Sequence, residues 1–198
     1  MIQSPTITRV LSFLKGDFCL CVINMVTIEH ISFQIGDQTL FADLTNSFEG
    51  SQIHGVWNST ASGNTAFLQM LAGNIPIRSG IIRYGGQLLD HTVVAYYNTE
   101  NMPWIFRNDQ VMDYGNDKWI YLFDNMFSLS DFRLVIRLYK VILLLKKLER
   151  TIIITSTDYK ELIAATDFFH ILSNSSFPLK LDYKQYDLLH GVFRQMSQ

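Results

Sequence analysis

Residues Thr151 to Thr155 read Thr-Ile-Ile-Ile-Thr, a β-branched run with no charge and no polar alternation. A strand of that kind has water on neither face, the mark of a central parallel strand covered on both sides. The segments around it carry helical patterns. Leu129 to Arg150 is apolar at Val135, Ile136, Tyr139, Val141, Ile142, Leu144 and Leu145, and Asp158 to Ala165 follows the strand. Strands alternating with helices restrict the chain to a layered α/β architecture. With 198 residues, 48% of them hydrophobic, there is enough apolar material for one domain with a substantial core.

The first part of the chain has a different rhythm. Val26-Thr-Ile28-Glu-His-Ile31-Ser-Phe33 alternates as a half-buried strand does. Gly36-Asp37 reads as a turn, Gln38 to Leu44 as a second strand, and Ser51 to Trp57 as a strand running inward. Asn58 to Gly63 is small and polar, hence loop-like, and Thr65 to Ala72 is helical up to the stop at Gly73. Gly80 to Tyr84 with Gly85-Gly86, then Thr92 to Tyr97 and Trp119 to Phe123, read as further strands. His170 to Ser173 and Leu179 to Tyr183 are late strands, and Tyr186 to Met196 a closing helix.

Several functions are set aside by composition. Sixteen Lys and Arg against 18 Asp and Glu leave a net charge of −2, so no nucleic-acid partner is expected. The five histidines form no H-x-x-x-H pair, and no G-x-S-x-G elbow occurs. Two cysteines, Cys19 and Cys21, make no disulfide framework and lack further metal ligands nearby. Residues 1–24 read as an extension of unknown role, with translation from Met25 the plain alternative, and residues 25–198 as a single domain. Charged residues at 17% fall below the common quarter. That shortage points to a surface covered by a partner or lying near a membrane, and a 129–150 helix apolar on more than one face suits burial in a core or beneath a partner. The Lys146-Lys147 end of this helix suits the helix dipole.

From Val26 to Asp167 the chain resembles the nucleotide-binding domain of ABC transporters. The specific block is Gly50-Ser-Gln-Ile53-His-Gly55, then Ser62-Gly63-Asn64-Thr65, then Leu71-Ala72-Gly73 and Ser79-Gly80. Ile120-Tyr-Leu-Phe123-Asp124-Asn125 resembles a Walker B strand, and Asp131 falls at the D-loop aspartate. The resemblance implies a P-loop NTPase-like layered α/β domain: a mostly parallel central sheet plus an antiparallel N-terminal β-subdomain. It also implies Mg-ATP as cofactor, with Asn58, Ala61, Ser62, Gly63, Asn64 and Thr65 as the phosphate loop and Thr65 and Asp124 as magnesium ligands.

The residues themselves depart from a working site. A P-loop reads G-x-x-x-x-G-K-[ST], its amides cradling phosphates, its lysine reaching the β and γ groups and its hydroxyl on the metal. Here the first glycine is Asn58, a middle glycine is Ala61 and the lysine is Asn64. Asparagine brings no charge, and an ion pair at ~4 Å is worth roughly 4 kcal/mol at an effective dielectric near 20. Asn125 stands where the family orients water with a glutamate, and an amide accepts no proton. Thr157 stands at the switch histidine, Ile35 at the adenine-stacking aromatic with Phe33 close by, and Asn98 at the glutamine that contacts magnesium and permease. Between Gly86 and Trp119 there is no Leu-Ser-Gly-Gly-Gln signature; Asp113-Tyr-Gly115-Asn116 is at best a turn. The helical subdomain that carries the signature is therefore expected to be missing, and completion of a site in trans with it.

Two functions are expected on this basis. One is a degenerate, catalytically silent subunit, cytoplasmic or held at the inner membrane face by a permease, paired with an ABC permease or an intact ABC ATPase. The other is weak or slow use of Mg-ATP through Ser62, Gly63, Thr65 and Asp124. For both, a glycine-containing bend between a central strand and the amino end of a helix is expected around Ser62–Thr65.

Overall fold

A computed structural model of the chain describes residues 24–35, 37–101, 117–128, 131–173, 177 and 179–188. The Cys19-x-Cys21 pair, the Asp113–Asn116 turn and most of the closing helix lie outside these residues. Over 183–188 the chain forms a 3₁₀ helix rather than the α-helix expected from Tyr186.

Two sheets form the frame. The first is antiparallel: β1 (Val26–Ile35), β2 (Gln38–Phe48), β4 (Ser79–Tyr84) and β5 (Gln87–Leu88), in the order β2-β1-β4-β5. Gly85 and Gly86, with φ of 58° and 81°, close the β4–β5 hairpin as a two-residue turn with positive φ at both positions requires. The second sheet holds β3 (Ile53–Trp57), β6 (Val94–Tyr97), β7 (Ile120–Asp124), β8 (Thr151–Ser156), β9 (Phe168–Ile171) and β10 (Leu179–Asp182). Its order is β10-β9-β3-β8-β7-β6, parallel throughout except for β10. β8 is buried at all six positions between β3 and β7, as its unbroken apolar run dictates.

Among the described residues, three α-helices fill the layers. α1 (Ala61–Leu71) lies between the sheets, where Phe67, Leu68 and Leu71 share a core with Ile28, Phe41, Phe48, Leu122 and Ile153. α2 (Phe132–Lys147) and α3 (Tyr159–Ala165) cover the other face of the parallel sheet, packing Leu138, Ile142, Leu145 and Leu162 on Tyr121, Phe123, Ile152 and Ile154. Alternate residues of β7 thus serve opposite cores.

α1 ends as its sequence predicts. Gly73 at φ 75° donates to Met70 O (3.1 Å) and Asn74 to Gln69 O (2.9 Å), the paired bonds of a Schellman stop. Its start is a correction. The helix begins at Ala61, not Thr65, and so absorbs half of the expected loop. The reason is a cap: extended Thr60 offers Oγ1 to the amide of Gly63.

Candidate functional site

The bend at the end of β3 is reduced to Asn58, Ser59 and Thr60. Asn58 is buried and holds the bend shut. Its Oδ1 accepts from the Thr60 amide (2.8 Å) and from the Thr60 hydroxyl (3.0 Å), an Asx turn. The Thr60 Oγ1 accepts from Gly63 N (3.4 Å), and Thr60 O accepts from Asn64 N (3.4 Å). Gly63 thus sits in the first turn of the helix, so the glycine-containing bend expected around Ser62–Thr65 is corrected to a glycine-free bend followed by a helix that carries the glycine. A β-carbon there would lie 2.8 Å from Asn58 Nδ2, so the glycine makes room for the Asn58 side chain. Ala61 and Ser62 are exposed on the same first turn.

Asn64 is fully buried, and neither its Oδ1 nor its Nδ2 has a hydrogen-bond partner among the described residues. An orphaned buried amide costs about 1–3 kcal/mol per group. Sequence reasoning weighed Asn64 as a lysine that lost its charge; the structure adds that it is unsatisfied.

A cavity of about 560 Å³ opens beside the helix, lined by Phe33, Gln34, Ser62, Thr65, Gln69 and Ile75 among others. Phe33 and Gln34 also line a neighbouring cavity of about 400 Å³ that reaches Arg78. The aromatic beside the loop is therefore Phe33, stacked at a tilt on Phe41 (6.3 Å). Ile35 ends β1, and its side chain lies outside the described residues.

Asp124 ends β7, 4% exposed. Both of its oxygens are engaged: Oδ2 accepts from Tyr96 OH (2.8 Å) and Oδ1 from Thr155 Oγ1 (3.1 Å). Burial first, and then the adjoining carboxylate, push the Tyr96 phenol up to about 12, so it stays protonated and donates. The nearby Gln69 and Asn98 side chains pull the other way, towards a lower value. Hydrogen bonds thus run from Tyr96 through Asp124 to Thr155. Tyr96 and Thr155 were not singled out from sequence; the available signal was that each apolar strand ends in a pair of hydroxyl-bearing residues, Tyr96-Tyr97 and Thr155-Ser156.

The remaining positions fall at strand ends and caps. Asn125 adopts φ 51°, and its amide is shared between Thr155 O (3.1 Å) and Oγ1 (3.3 Å). Asn98 accepts from the amides of Glu100 and Asn101. Asp131 caps α2, accepting from Arg133 N (2.9 Å), and Arg133 donates to it from the guanidinium too. Exposed Thr157 offers its carbonyl to Trp57 Nε1 (2.9 Å). No group of three or more His, Cys, Asp or Glu side chains suited to a metal ion occurs among the described residues.

The chain is similar to solved structures. It superposes on an ATP-binding subunit of an ABC transporter with a TM-score of 0.68 at 13% identity, over 88% of this chain and all of that one. It superposes on CbiO1 of Clostridium perfringens, part of the transporter complex CbiONQ, with a TM-score of 0.65 at 11% identity. That match spans 87% of this chain and 94% of the other. This chain has the fold of an ABC transporter ATP-binding subunit. A bacterial Atm1-family ABC exporter with ATP bound matches over 90% of this chain and 42% of its own, with a TM-score of 0.66 at 14% identity. No family model and no curated protein matches the sequence. The ABC fold thus stands on shape, and on it β3, β7 and β8 bring Asn58, Asn64, Asp124 and Thr155 to one end of the parallel sheet. No helix among the described residues is long and apolar enough to cross a membrane.

Proposed function

We propose that this chain is a catalytically silent ABC-type subunit, acting as a structural or regulatory partner of an ABC permease or of an intact ABC ATPase. One observation carries the reading. The bend that would cradle phosphates is filled by its own side chains, with the Thr60 and Gly63 amides spent on Asn58 and Thr60. A phosphate group must displace those bonds and gains no cation in return, because Asn64 replaces lysine.

The donor set fits Mg-ATP poorly on two further counts. Asp124 is committed to Tyr96 and Thr155, and Asn125 is no general base. The span from Gly86 to Trp119 supplies no signature motif to a neighbour's site. The expected measurement is ATP hydrolysis by the pure full chain at background level. Turnover above background that Asp124→Asn abolishes would overturn the proposal.

A second reading is favoured by the cavity alone. Ser62 and Thr65 open onto it beside Phe33, so a nucleotide could bind weakly there without being split. Bound ligand must raise the melting temperature by mass action. A dose-dependent rise with millimolar MgATP, and none with magnesium alone, would support weak binding; no rise removes that reading.

A further inference from the structure

Among the described residues, eight large apolar side chains are exposed, and Phe132, Ile136, Leu143 and Leu144 of α2 with its cap Leu148 account for five. Phe132 is 73% and Leu143 54% exposed. At about 100° per residue, Phe132, Leu143 and Ile136 fall within about 40° of one another on the helix. They form a stripe centred about 130° round the helix from the arc that Leu138, Ile142 and Leu145 bury in the core. Lys147, Lys140 and Arg133 follow within the next ~60°, all exposed.

The charge is lopsided. Residues 132–150 hold six of the chain's 16 Lys and Arg and one of its 18 Asp and Glu, Glu149. Asp131 caps the start of the helix and pairs with Arg133 at 3.2 Å, while Lys146 turns inward to Asp167 at 2.6 Å. Exposed Lys140 and Lys147 are left beside the apolar stripe. The rest of the chain is net acidic, so this cationic patch is local.

We infer that α2 docks on an anionic lipid surface, its Phe132–Ile136–Leu143 stripe in the headgroup boundary and its lysines and arginines over the lipid charges. The composition of the exposed arc decides between lipid and protein. From Phe132 to Lys147 it contains only large apolar and cationic side chains, with no Ser, Thr, Asn or Gln to make directional bonds. Lysine is depleted at the core of protein interfaces. Basic residues flanking Phe and Leu mark helices that lie in the plane of an anionic bilayer. This site is independent of the phosphate loop.

The test is sedimentation of the full chain with vesicles. One set is phosphatidylcholine alone; the other contains about a third phosphatidylglycerol, enough for a negative surface potential. The expected result is at least about tenfold stronger binding to the anionic set, weakened by salt as screening dictates. Phe132→Ser with Leu143→Ser should abolish pelleting, and Lys140→Gln with Lys147→Gln should reduce it severalfold, without a change in melting temperature. These side chains are exposed, and either pair tests the idea if the other destabilises the fold. Equal binding to both vesicle types, no binding to either, or full binding by both variants would overturn the inference. A chain that ignores vesicles but binds an acidic amphipathic peptide would do so too.

Discussion

Two buried polar groups lie close in sequence, on β3 and just beyond it, and differ in how they are satisfied. His54, on β3, belongs to a closed chain of donors and acceptors. Asn46 Nδ2 can only donate, so His170 Nδ1 accepts (3.1 Å). His170 Nε2–H then donates to His54 Nδ1 (3.1 Å), and His54 Nε2–H to Glu49 O (2.9 Å). One tautomer of each neutral ring fits every contact, and the chain ties β2 of the antiparallel sheet to β3 and β9 of the parallel one. Asn64, ten residues after His54 and equally buried, has no partner among the described residues. The contrast separates a polar group kept for architecture from one that architecture does not explain.

The largest effect should come from acid. Burial holds His54 down at about 4 and His170 well below its usual range, with Glu49, Lys180 and Asp167 the charged groups facing His54. Unfolded histidines take up protons below about pH 6.5, whereas folded His54 does so only near 4. Between these values the unfolded state binds more protons, so stability is full above 6.5 and falls as pH drops towards 4. The loss should be on the order of a few kcal/mol, read as urea midpoints at pH 7.5 and 4.5. A flat profile would mean that the pair is not buried as described.

Opposite signs are expected from two asparagine substitutions. Asn64→Leu removes two orphaned groups from the interior and should stabilise by about 1–3 kcal/mol. Asn46→Leu leaves His170 Nδ1 without its donor and should destabilise by about 1–2 kcal/mol. Urea unfolding of both variants sets the two clusters against each other; a destabilised Asn64→Leu would show that its amide is satisfied after all.

Tyr96→Phe comes next. It strips one hydrogen bond from Asp124, at a cost of about 1 kcal/mol, and frees Oδ2 for another partner. If the Tyr96 bond is what keeps Asp124 from magnesium, the variant should gain a thermal shift with MgCl₂ that the parent lacks.

Much of this fold was legible in short patterns. The uncharged run at Thr151–Thr155 placed the central strand, Gly73 the helix stop, Gly85-Gly86 the hairpin turn, and the early alternation the antiparallel sheet. The site was less legible, because motif matching reads positions and not partners. Asn58 stands at the first glycine of the loop pattern, yet its side chain bonds Thr60 and draws the helix start back to Ala61. Scattered histidines gave no hint of the His54–His170 contact, since 116 residues separate them. Tyr96 and Asp124 meet only because β6 and β7 run side by side.

The smallest effect is the most informative about the loop. Gly63→Ala puts a methyl 2.8 Å from Asn58 Nδ2, the end of a side chain that can swing away. The cost should stay near 1 kcal/mol, the loss of the Asx turn being most of it. Asn58→Ala should cost about the same for the same reason. The two changes remove one shared feature, so the double variant should lose little more than either single one, a coupling of about 1 kcal/mol in a double-mutant cycle. Strict additivity would mean that Gly63 is required by something other than the Asn58 plug, and the closed bend would cease to explain why a glycine stands there.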